Sequence, residues 1–66
     1  MLPIRFTYLE PHDEKVYVSM LDQIKHHFTG EVIYKIRKEG ERSWVTEHWC
    51  EERYVKAMLN RKVEEE

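Results

Sequence analysis

With Cys50 as its only cysteine, a chain of 66 residues has no disulfide framework and must be held together by packing alone. A domain this small buries only about 60% of the surface its unfolded chain exposes, so its stability margin is thin. The apolar residues have to be bulky to compensate. They are: two Trp, four Tyr, two Phe and three Met stand among them. Each aromatic ring buries roughly 150–250 Å², enough for a few to fill a thin core. The same rings argue against disorder, which is aromatic-poor.

Hydropathy alternates first across residues 3–9, where Ile4, Phe6 and Tyr8 are interleaved with Arg5, Thr7 and Leu9. This is the pattern of a strand with one buried face. Glu10, Pro11, His12 and Asp13 then supply a turn. Over residues 13–28 the period reads differently. Val16, Tyr17, Met20, Leu21, Ile24, His27 and Phe28 recur at three- and four-residue steps and predict an amphipathic helix. Asp13 is placed to cap its start, and Gly30 to end it with a left-handed residue. The competing reading is a strand over residues 15–19, where Val16 and Val18 alternate with Tyr17.

Alternation returns at residues 31–38, with Val32, Tyr34 and Ile36 on one side and Ile33, Lys35 and Arg37 on the other. Glu39 and Gly40 form a turn in which Gly40 is free to take positive φ. A second run, residues 42–49, holds Trp44, Val45, Thr46 and Trp49 and completes a hairpin. These residues can also be threaded on a helix begun by Ser43, but the β-prone side chains favour the strand. A final helix is expected over residues 50–61, with Glu51 and Glu52 in its first turn and Arg61 and Lys62 at its end. The expected fold is α+β, in the order β-α-β-β-α: a three-stranded antiparallel sheet packed on two helices. Residues 1–62 form the single domain, and residues 63–66 an acidic, frayed tail.

Chemistry is thinly represented. His48 and Cys50 alternate on a strand and would point the same way, yet a zinc site needs further ligands, and His26 or His27 would have to converge on them. As a nucleophile, Cys50 is opposed by Glu51 and Glu52, whose charge raises a thiol pKa. A chain this short is not expected to enclose a reaction pocket of about 300 Å³ and still keep a core. No metal, cofactor or catalytic residue is assigned, and the chain is read as a binding protein rather than an enzyme.

A formal net charge of -2 names no partner by itself. Lys35, Arg37, Lys38 and Arg42 around the hairpin, with Tyr34 and Trp44, form the basis of one reading: a small nucleic-acid-binding regulator. Glu39 and Glu41 at the same tip weaken it, since phosphate binding needs an excess of positive charge. The preferred reading is a protein-binding module that modulates or inhibits a larger protein. Trp, Tyr and Arg dominate binding hot spots, and Ile33, Tyr34, Arg37, Trp44 and Trp49 are the expected contacts. Only one of Trp44 and Trp49 fits easily into so thin a core. A homodimer is compatible with this reading, as is a mobile-element (phage) origin. The single cysteine, with neither a signal segment nor a long uncharged run, fits a cytoplasmic setting without membrane attachment.

Overall fold

A computed structural model describes residues 4–63. Four strands, Arg5–Leu9 (β1), Lys15–Lys25 (β2), Val32–Gly40 (β3) and Val45–Glu51 (β4), precede one helix, Glu52–Leu59 (α1). The strands form an antiparallel meander in the order β1-β2-β3-β4, and α1 lies across one face. The expected three-stranded sheet on two helices is therefore wrong. The fold is mostly β, because residues 13–28 form a strand where a helix was expected.

That reversal has a local cause. Val16 and Val18 are both buried with exposed Tyr17 between them, which is strand alternation. Between Met20 and Asp22 the register with β3 shifts, leaving Leu21 as an extra residue. The shift moves later apolar residues onto a new phase and so counterfeits a helical period. The flanking signals were real but belong to hairpins. Asp13 (φ 63) closes the β1–β2 turn, where its N–H donates to the Glu10 carbonyl (2.9 Å). Gly30 (φ 75) closes the β2–β3 turn, donating to the His26 carbonyl (3.0 Å). Both a helix C-terminus and a hairpin loop call for a left-handed residue, so sequence alone does not separate them.

The β3–β4 turn repeats the first one. Ser43 (φ 66) is its left-handed residue, and Ser43 N–H donates to the Gly40 carbonyl (3.2 Å). Gly40 does not take the positive φ expected of it. It is needed for space: a Cβ there would lie 2.1 Å from the Trp44 indole. Trp44 in turn donates from Nε1 to the Glu14 carboxylate (3.1 Å), tying this turn to the start of β2.

The core is a single layer between sheet and helix. Phe6, Tyr8, Val16, Val18, Tyr34, Ile36 and Val55 are buried, with Met20, Val32, Trp44, Cys50, Met58 and Leu59 packed around them. Helix α1 is shorter than expected at both ends, since Cys50 and Glu51 belong to β4. Val55 is its fully buried residue, and Glu52 pairs with Lys56 one turn on (2.9 Å). The helix stops at Leu59 because the chain then turns to run beside β1. Lys62 bridges to Tyr8, and Val63 N–H donates to the Thr7 carbonyl (2.8 Å). Val63, expected to fray, is thus hydrogen-bonded, and residues 64–66 of the expected tail lie outside the described residues. No described helix is long and apolar enough to cross a membrane.

Candidate functional site

Residues facing each other across an antiparallel pair share a face of the sheet, so the register assigns every side chain. The covered face carries the core. The open face, away from α1, is built from rows of residues across the strands. Asp22, Lys35 and Trp49 form one row; Ser19, Arg37 and Glu47 the next; Tyr17, Glu39 and Val45 a third. Ile24, Ile33 and Glu51 complete it toward the far end. Thr7 is the only residue of this face that is buried among those described.

Trp49 is 45% exposed, with the Lys35 ammonium 6.0 Å from its ring centroid. Arg37 pairs with Glu39 along the same strand (3.2 Å), both half-exposed. Ile33, Arg37 and Trp49 of the expected contacts therefore lie on one surface. The other two do not. Tyr34 is buried on the covered face opposite Cys50, and Trp44 is half-buried beside Gly40. The two tryptophans divide as their number suggested: Trp44 packs against the core while Trp49 faces solvent.

Sequence reasoning missed the largest exposed feature. Beyond the bulge, β1 gives out, its last contact being the Met20 N–H on the Ile4 carbonyl (2.7 Å). β2 continues along β3, which stays paired with β4 as far as Ile33, so that only the Lys25–Val32 pair and its turn project as a two-stranded tip. Every residue from 21 to 31 is exposed, and the segment is called the arm below. The arm draws the molecule out to 37 × 21 × 20 Å. Leu21 and Ile24 are half-exposed on it, and Phe28 at its tip is 94% exposed. The Phe28 ring lies beside the His26 imidazole, at 6.0 Å between centroids. These residues were assigned to the buried stripe of a helix. The signal that could have found them is the Gly30 turn read together with the Val16–Val18 alternation.

The four cations of the nucleic-acid reading are dispersed. Lys35 and Arg37 are on the open face, whereas Lys38 is on the covered face, its ammonium 5.6 Å from the Tyr8 ring. Arg42 stands in the β3–β4 turn, at the opposite end of β3 from Tyr34.

His48 and Cys50 do share the covered face of β4, facing Ile36 and Tyr34 respectively. They border an open groove of about 440 Å³ with Tyr8, Lys38, Tyr54 and Met58. That exceeds the pocket expected of so short a chain, but the groove is a cleft against the helix rather than an enclosed chamber. Burial pushes the Cys50 thiol pKa up, with Glu51 adding to the shift and Lys38 opposing it. The thiolate is thus disfavoured, by desolvation more than by the glutamate charge the sequence suggested. His26 and His27 sit at the arm's turn rather than beside Cys50. Among the described residues no three His, Cys, Asp or Glu side chains converge on a metal position. Comparison of the chain with protein-family models, with curated proteins and with solved structures gives no match.

Proposed function

We propose that the chain is a protein-binding module that modulates or inhibits a larger intracellular protein, docking through its arm and the adjoining open face. The observation that carries this reading is Phe28, 94% exposed at the tip of an arm whose residues 21–31 are all exposed. A large ring held in water at the turn of a hairpin is costly in hydration and has no role in the fold. It gains one if it enters an apolar pocket of a partner. Ile24, Ile33 and Trp49 extend the surface toward the body, and Lys35, Arg37 and Glu47 give it a polar rim, the anatomy of a docking patch. The lone thiol suits a reducing compartment, which is why the partner is sought in the cytoplasm.

The test compares immobilised wild type with the double variant Phe28→Ala/Trp49→Ala. Both should melt together in urea, while the partner retained by wild type is lost from the variant. Equal recovery on both would remove this surface from consideration.

A further inference from the structure

The sheet has two outer edges, and the chain treats them differently. Beside β1, residues 61–63 run antiparallel and take up the Leu9 N–H and the Thr7 carbonyl. Beside β4, no described segment lies. An unpaired edge strand is a template for adding another strand, and proteins ordinarily guard it with lysine, proline or a bulge. β4, Val-Thr-Glu-His-Trp-Cys-Glu, has none of these three, carries charge only at Glu47 and Glu51, and pairs with β3 without a register break.

We infer that β4 is the dimer edge of this protein, pairing antiparallel with β4 of a second copy about a two-fold axis at His48. The Gly40 N–H bond to the Trp44 carbonyl (3.0 Å) sets the phase of the hydrogen bonding. Trp44, Thr46, His48 and Cys50 turn their backbone groups to β3, so Val45, Glu47 and Trp49 turn theirs outward. Only pairings of outward residues with outward residues keep both helices on one side of a continuous sheet. Centring on Glu47 sets that carboxylate against its own symmetry mate. Centring on Trp49 sets Glu47 against the partner's Glu51. Centring on His48 avoids both clashes, since like charges directly opposite are destabilising. Glu47 then faces the partner's Trp49, behind which stands the partner's Lys35. The 6.0 Å Lys35–Trp49 stack of each copy becomes a three-part contact of cation, ring and carboxylate. Trp49, Lys35 and Glu47 belong to both this interface and the proposed docking surface, whereas Phe28 belongs to the latter alone, so Phe28→Ala by itself separates loss of a partner from loss of the dimer.

Two measurements test it. Sedimentation of the pure 8.2 kDa chain at tens of micromolar should show a species of twice that mass. Glu47→Pro removes an outward N–H without touching the β3 ladder, a position where an edge strand tolerates proline. It should weaken the dimer at least about tenfold while leaving the circular dichroism unchanged. The second measurement fixes register. His48→Cys in a Cys50→Ser background places two thiols across a non-hydrogen-bonded pair, within disulfide reach. Mild oxidation should cross-link it as a dimer, whereas Glu47→Cys in the same background should not. A monomer throughout, a dimer indifferent to Glu47→Pro, or cross-linking at 47 rather than 48 would each overturn the inference.

Discussion

β2 and β3 run through two regions that obey opposite rules. In the body their apolar residues are sealed: Val16, Val18 and Ile36 are buried in one core cluster with Val55 of α1. In the arm β2 and its turn carry Leu21, Ile24 and Phe28 into solvent. Nothing in residue type separates the two sets. The boundary on β2 is the bulge at Leu21, where β1 ends, whereas on β3 the cover persists to Tyr34, buried opposite Gln23. Apolar content therefore reports folding only where a second layer is present to cover it; past that point the same kinds of side chain stay exposed.

Two isoleucines give the largest contrast. Ile36→Ala should cost about 2–5 kcal/mol, since it empties a fully packed site in a small domain. Ile24→Ala should stay within about 0.5 kcal/mol. Urea unfolding measures both, and a comparable loss at Ile24 would mean that the arm is packed rather than free. A smaller contrast lies in the glycines. Gly40→Ala drives a methyl into the Trp44 indole and should lower stability by about 1–3 kcal/mol, whereas Gly30→Ala adds only left-handed strain, about 1 kcal/mol, confined to the arm. Amide exchange distinguishes them: the first substitution should accelerate exchange throughout the sheet, the second only near the arm's turn. The smallest effect is a gain. Ser43→Gly relieves the left-handed backbone of the β3–β4 turn and should raise stability in urea by about 0.5 kcal/mol.

The hairpin of β3 and β4 was legible because its strands alternate regularly around a turn, and so was the division of its residues between faces. β1 and its turn were legible for the same reason. β2 was not. A strand that bulges halfway and then leaves the core has no single period, and its Asp13 and Gly30 turn residues imitate helix caps. Tyr34 was assigned to the contact surface by its type alone, although its alternation with Ile36 already placed it on the core side. The arm stayed hidden because its exposed side chains, Leu21, Ile24 and Phe28, are of the kind a sequence reading commits to the interior.

The placement of the tryptophans gives the molecule its own optical assay. One indole is clamped against Gly40 and held by a carboxylate; the other looks outward beside Lys35. A soluble quencher added to the native protein should dim the outward emitter first. Anything that settles on the open face would protect that emission without altering the other, so occupancy and unfolding could be followed separately in one cuvette, with no label attached.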